Sequence, residues 1–311
     1  MKDFAGKIAV VTGGGTGMGR ALVRQLIAQG CDVAYCDVSE SNLAQMAEIC
    51  EQEAPQGVRT SGFICDVSNE DDFQHFADHV QDVFNTQHIN LLFNNAGIAG
   101  GGSFLNETRE VWERTFNVCW KGVYFGSRVF MPMLVASDEG HIVNTSSING
   151  FWASAGPNAA HTAYSAAKFA VKGFTEALVT DLRLNAPHVK ASVVMPGHVG
   201  TDIILNGNAA ASDNGKRTLG RMMGLDVDAM SEAEVQAAFE QLGTAFRDAA
   251  PTSADEAATI ILDGVKAAQW RILVGEDAKR LDHNVRTFPE RAYDPDFPTL
   301  SASETLSPDS A

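Results

Sequence analysis

The chain has 311 residues, 45% apolar and 20% charged, a mixture too hydrophobic for intrinsic disorder and long enough for one large α/β domain. Its formal net charge of −16 repels nucleic-acid phosphates and anionic membrane surfaces, and no apolar run reaches the length of a membrane span. Five cysteines, Cys31, Cys36, Cys50, Cys65 and Cys119, form no CxxC pair, so they read as free thiols in a reducing compartment, with neither a disulfide framework nor a zinc site.

The stretch Met1–Lys7 lacks the apolar core of a secretory signal, which predicts a cytoplasmic protein. Short β-branched runs then alternate with helical patterns. Strands are predicted at Lys7–Thr12, Asp32–Asp37, Val58–Cys65, Ile89–Asn94, Gly140–Ser146, Val189–Met195 and Trp270–Gly275. After the first strand, Met18, Leu22, Leu26 and Ile27 mark one face of a helix. This rhythm predicts a doubly wound Rossmann fold, a seven-stranded parallel sheet with helices on both faces, as a single domain over residues 1–297. Residues 201–251 interrupt the rhythm with a strandless insertion, predicted to be a substrate lid. It opens on a loop at Asn206–Gly215 and continues as a helix bearing Val235, Phe239, Leu242 and Phe246. Residues 298–311, rich in Ser, Thr and Pro, are predicted to be a poorly ordered tail.

Directly after the first strand comes Thr12-Gly13-Gly14-Gly15-Thr16-Gly17-Met18-Gly19. Glycines between a strand and a helix allow a tight turn and let backbone N–H groups approach a pyrophosphate. Asp37 ends the second strand, where a carboxylate accepts bonds from the adenosine ribose hydroxyls and opposes a 2′-phosphate. Val38, Ser39 and Thr16 supply no cation, so NAD is expected over NADP. The alternative for Asp37 is a cap on the helix beginning near Ser39.

Tyr164-Ser165-Ala166-Ala167-Lys168 opens a helix to about Asn185, with Tyr164 and Lys168 one turn apart on the same face. A free phenol has a pKa of ~10. A neighbouring ammonium and a positive nicotinamide ring favour the phenolate and make it a usable proton acceptor. The strand ending at Ser146-Ser147 and the segment Pro196–Asp202 both lie at carboxyl ends of strands, where ligands bind in such sheets.

With these motifs in this order, the chain resembles the short-chain dehydrogenase/reductase family over about residues 5–202 and again near the last strand. The motifs are TGxxxGxG at Thr12–Gly19, the adenine-contacting Asp66-Val67, NNAG at Asn94–Gly97, the serine strand, YxxxK, and PGxVxTD at Pro196–Asp202. The resemblance implies hydride transfer between NAD and a secondary alcohol or ketone. Ser147, rather than Ser146, polarises the substrate oxygen, Tyr164 carries the proton, and Lys168 holds the nicotinamide ribose and tunes Tyr164. Cofactor contacts are implied at Gly13, Gly15, Thr16, Gly17, Met18, Gly19, Asp37, Asp66, Val67, Asn95, Ala96, Gly97, Pro196, Gly197, Val199 and Thr201. No metal is implied. The helices at about Thr108–Val135 and Tyr164–Asn185 resemble those that pair subunits in this family, so a homodimer or homotetramer is expected.

Two departures from the family pattern stand out. Aligning on Gly122 puts Cys119 where the family's catalytic asparagine belongs, and Asn117 is about 200° around an ideal helix from it. Either the proton relay uses water held by backbone groups, or Cys119 packs as a small apolar residue and the relay survives. A locally shifted helix would instead restore Asn117. The Ser147–Tyr164 segment is also longer than usual and holds Phe151 and Trp152, which line the substrate pocket or pack against the Val235–Phe246 helix. With the lid's apolar face, these rings predict a bulky hydrophobic or aromatic secondary alcohol.

Two competing readings are a 3-oxoacyl reductase for carrier- or CoA-linked substrates, which calls for NADP and a basic entrance, and a catalytically silent nucleotide sensor, which has no use for Ser147, Tyr164 and Lys168. His75 and His79 lack a third ligand and read as a solvent face rather than a metal site. His161 and His198 lie nearer the chemistry, His198 as an exposed loop residue. Ser253–Glu256 reads as a capping box.

Overall fold

The run Ile8-Ala9-Val10-Val11-Thr12 forms strand β1, buried along its whole length, as a central parallel strand must be. It pairs with β2 (Asp32–Asp37) on one side and with β4 (Leu91–Asn94) on the other. With β3 (Thr60–Ile64), β5 (Gly140–Thr145), β6 (Val189–Pro196) and β9 (Arg271–Val274) they make a seven-stranded sheet in the order β3-β2-β1-β4-β5-β6-β9, every pairing parallel. This is the doubly wound architecture expected from the strand–helix rhythm. The computed structural model describes residues 1–154, 160–208, 216 and 225–298.

Helices cover both faces. On one, Leu22 and Leu26 of α1 (Gly17–Ala28) and Met46 of α2 (Glu40–Glu53) share a core with Ile261 and Val265 of α9 (Ala254–Lys266). On the other, Phe73 and Phe76 of α3 (Glu70–Phe84), Phe130 of α5 (Gly122–Val135) and Leu182 of α6 (Thr162–Asn185) form a second core. Strand order reverses between β1 and β4, so the segments after these two strands diverge and leave a crevice at their carboxyl ends.

The predicted helix at Thr108–Val135 is not uniform. It begins as α4 (Arg109–Phe116), widens into one π turn at Asn117–Lys121, and resumes as α5. Single π turns of this kind are frequent at functional sites.

The insertion leaves from β7 (Val199–Gly200) and returns to β8 (Thr252–Ser253), and these two short strands pair in parallel. Its two ends are therefore fastened side by side. Asn206, Gly207 and Asn208 belong to helix α7 (Ile203–Asn208) and not to the expected loop, whose remaining residues lie outside the described ones. Helix α8 (Glu232–Asp248) starts at a capping box between Ser231 and Glu234 and buries Val235 and Phe239. Leu205 of α7 packs against Gly243 of α8, and Arg247 pairs with Asp202 at 3.0 Å. The predicted capping box opens α9, with Ser253 and Glu256 exchanging bonds. Of the predicted tail, residues 299–311 lie outside the described part.

Candidate active site

The crevice is built around Thr12. Its hydroxyl oxygen accepts the N–H groups of Asn95 and Ala96, each at 3.0 Å, and the Asn95 side-chain amide donates to the Thr12 carbonyl at 3.1 Å. The ends of β1 and β4 are thereby locked together. The chain then turns into α1 through Gly17, whose φ of +53° few other residues adopt. Gly19 is fixed by space, because a Cβ there would collide with the Gly13 carbonyl.

Helix α1 begins without a side-chain cap and without an acidic residue in its first turn, unlike α2, α3, α8 and α9, each capped by a side chain. Its first N–H groups and the positive end of its dipole are left for an anion, which matches a dinucleotide pyrophosphate. Thr201 lies beside Gly17, bringing the segment after β6 over the same turn. That segment is held from below: Gly197 N–H donates to the Val274 carbonyl at 2.9 Å, and His198 N–H to the carboxylate of buried Asp277 at 2.7 Å.

Asp37 accepts the Gly15 N–H at 3.2 Å and the Ser39 N–H at 3.0 Å, so its carboxylate faces the glycine turn. The cap of α2 is Ser39, which accepts from the Asn42 N–H, and the capping alternative for Asp37 falls away. A cation that sequence reasoning passed over sits close by: Arg20 donates through Nε to the Gly15 carbonyl at 2.8 Å and through its guanidinium to Gln45 at 3.1 Å. Farther along the crevice, Asp66 accepts from the Ser68 N–H and hydroxyl, and Val67 is buried under Gly122.

Lys168 is buried on α6, with Nζ donating to the Thr145 carbonyl at 2.8 Å and lying 5.3 Å from the centre of the Tyr164 ring. Gly97 lies beside it, within van der Waals reach of Nζ. Burial pushes the Lys168 ammonium below its ordinary pKa and the Tyr164 phenol well above its own, while a hydrogen bond with Ser147 pulls the phenol back down. The two adjacent serines have separate tasks. Ser146 donates to the Lys168 carbonyl at 2.7 Å and pins β5 to α6, whereas Ser147 accepts the Asn149 N–H at 3.2 Å and is the serine that acts on the phenol.

Cys119 is fully buried against Tyr164 and Ala167, and its thiol donates to the Ile98 carbonyl at 3.4 Å. The π turn brings Cys119 to this spot. Asn117 contributes its carbonyl to that turn, accepting the Gly122 N–H. Ile98, Phe116 and Trp120, half-buried, surround the same cluster.

Several expectations need correcting. Among the described residues, Trp152 packs away from α8. It is buried with Ala278 and Leu281 of α10 (Glu276–Thr287) and with Phe297, and its indole N–H donates to the Ala292 carbonyl at 2.6 Å. Phe151 packs against that same cluster. His198 is half-buried rather than loop-exposed, its Nε2 2.7 Å from the Phe246 carbonyl, which anchors the end of α8. His79 is drawn onto the sheet, its Nε2 2.8 Å from the Ser61 hydroxyl and its ring tilted against Phe63 at 4.9 Å. Sequence reasoning also missed Thr145 and Asp277, which work through a carbonyl and a contact 79 residues away and leave no local pattern.

A bare helix end facing a buried phenol and ammonium across a parallel-sheet crevice defines a Rossmann-fold oxidoreductase. The family model described as short chain dehydrogenase matches residues 7–212, and the chain belongs to the short-chain dehydrogenase/reductase family. It is similar to the putative oxidoreductase SadH of Mycobacterium tuberculosis, 34% identical over 282 residues and 91% of each chain. It also resembles human epidermal retinol dehydrogenase 2, 31% identical over 202 residues, 64% of this chain and 62% of that one. Among solved structures, a short chain dehydrogenase/reductase from Burkholderia phymatum in complex with NAD superposes with a TM-score of 0.78 at 30% identity, covering 96% of this chain and 99% of that one.

Proposed function

We propose that the chain is an NAD-dependent oxidoreductase that interconverts a secondary alcohol and its ketone, with Tyr164 exchanging the proton. The observation that carries this reading is the buried phenol of Tyr164 with the buried Lys168 ammonium 5.3 Å from its ring centre and Ser147 buried in the same site. Bound NAD would supply the hydride acceptor, and its reduced form the donor. Ser147 holds the substrate oxygen. In oxidation Tyr164 Oη removes the hydroxyl proton, and in reduction it returns one. Lys168, oriented by the Thr145 carbonyl, holds an ammonium 5.3 Å from the phenol ring, where a positive charge favours the phenolate.

The cofactor reading rests on Asp37. Its carboxylate lies against Gly15, where a 2′-phosphate would meet a negative charge, and this supports NAD. The NAD held by the Burkholderia relative supports it too. The half-buried Ile98, Phe116 and Trp120 around Tyr164 support a bulky hydrophobic or aromatic substrate. Residues 201–251 act as the lid, fastened at β7–β8. Tyr124 and Phe169, exposed on α5 and α6, support subunit pairing through those helices. Five buried free thiols support a reducing, cytoplasmic setting.

The test is a panel of secondary alcohols offered with NAD and with NADP, followed by the absorbance of the reduced cofactor. Turnover with NAD supports the reading. Tight NAD binding with no member of a broad panel turned over would overturn it and leave a nucleotide sensor.

A further inference from the structure

His161 stands one residue before α6, and its ring lies nearly parallel to that of Tyr164, with centroids 4.6 Å apart and planes 11° apart. Its Nδ1 is closed to solvent and has no hydrogen-bond partner. An enclosed polar atom without a partner costs about 1–3 kcal/mol.

The other enclosed unpartnered atoms among the described residues have simpler explanations. Asn94, Asn95 and Arg271 each form bonds through another atom of the same side chain. The Ser165 hydroxyl sits inside a helix, where a small rotation brings it to its own turn's carbonyl. His161 alone leaves its ring without any hydrogen bond among these residues, and it does so in contact with the group that moves the proton.

We propose that His161 determines specificity: its imidazole hydrogen-bonds a second oxygen of the substrate, a hydroxyl or keto group on the carbon next to the reacting one. This rests on the alcohol/ketone reading given above. Stacking fixes the ring, so its nitrogens keep a set distance from the Tyr164 hydroxyl. The ring centres are 4.6 Å apart, a separation of the size that two oxygens on adjacent substrate carbons bridge, one to each ring's polar atom. Burial pushes the imidazole down to about 4, so near neutrality it is uncharged, with one N–H donor and one acceptor nitrogen. Such a ring suits an uncharged hydroxyl or carbonyl and gives a carboxylate no cation.

The experiment uses the purified full chain with NAD and a matched pair, 1-phenylethanol and 1-phenylethane-1,2-diol, with acetophenone and 2-hydroxyacetophenone for the reverse direction. The readout is the ratio of kcat/KM for the doubly oxygenated member to that for its partner. The unmutated protein is expected to favour the diol and the hydroxyketone by about tenfold, the worth of one neutral hydrogen bond. His161→Phe, which keeps the stacked ring and removes both nitrogens, is expected to collapse that ratio to near one, and His161→Gln to restore part of it. A ratio near one in the unmutated protein, or a ratio unmoved in His161→Phe because both substrates fall together, overturns the proposal and leaves the ring a support for Tyr164. Either result still shows turnover, so the alcohol/ketone reading stands. Failure of both pairs in the unmutated protein removes the proposal and that reading together.

Discussion

Lys168 and Tyr164 share one face of α6, with the ammonium nitrogen 5.3 Å from the centre of the phenol ring. Burial moves both pKa values, the phenol up and the ammonium down, so each group is pushed toward its neutral form. Oxidation requires the phenolate and reduction the phenol. Because the phenol's pKa is raised, kcat/KM for alcohol oxidation should climb as pH rises above neutrality, while ketone reduction should be flat near neutrality and fall in alkali. Lys168→Met removes the stabilising charge and should move the oxidation limb to higher pH. A limb that stays in place, or shifts to lower pH, would show that the ammonium does not tune the phenol.

Asp37→Ala should relax cofactor choice. Removing one carboxylate from beside a 2′-phosphate relieves repulsion of about 1–4 kcal/mol, so the kcat/KM ratio of NADP to NAD should rise by roughly tenfold or more. Steady-state kinetics with both cofactors give the answer. If the unmutated protein already prefers NADP, the role given to Asp37 is wrong.

The π turn bears on Cys119. Since its thiol is already bonded to the Ile98 carbonyl and packed on Tyr164, Cys119→Asn should leave turnover within about threefold, far from the ~10²-fold cost of a broken proton path. A tenfold or greater rise in kcat would show that the relay is impaired in the natural sequence.

His141 lies buried in β5, with Nε2 2.7 Å from the Ser192 hydroxyl, and burial pushes its pKa from 6.5 down to about 3. The folded state keeps this ring neutral where the unfolded state binds a proton. Its contribution is thus fully present above pH 6.5 and is lost as pH falls toward 3, up to about 3 kcal/mol by pH 4. Denaturant titrations between pH 7 and 4 should show a smaller loss in His141→Gln than in the unmutated protein. Equal losses would place the acid sensitivity elsewhere.

Much of the fold was legible because its signals are periodic and local. Val10 and Val11 sit in an unbroken apolar run, and Leu22 and Leu26 repeat at helical spacing, so β1 and α1 could be read directly. Tyr164 and Lys168 were legible for the same reason, one turn apart on a single helix. Trp152 was misread because its partners, Ala292 and Phe297, come 140 residues or more later, and nothing near it in sequence reports them. Thr145 escaped notice because it acts through a carbonyl that every residue possesses. The stacking of His161 on Tyr164 depends on the backbone just before α6, a geometry that spacing does not encode.

The most direct measurement is single-turnover reduction of the cofactor by Tyr164→Phe, taken alongside the dissociation constant for NAD. If the phenol carries the proton, the hydride-transfer rate should fall by about 10²-fold or more while NAD affinity stays within about threefold. A variant that binds NAD normally and transfers hydride at the unmutated rate would contradict the account, because the proton would then be leaving by another route.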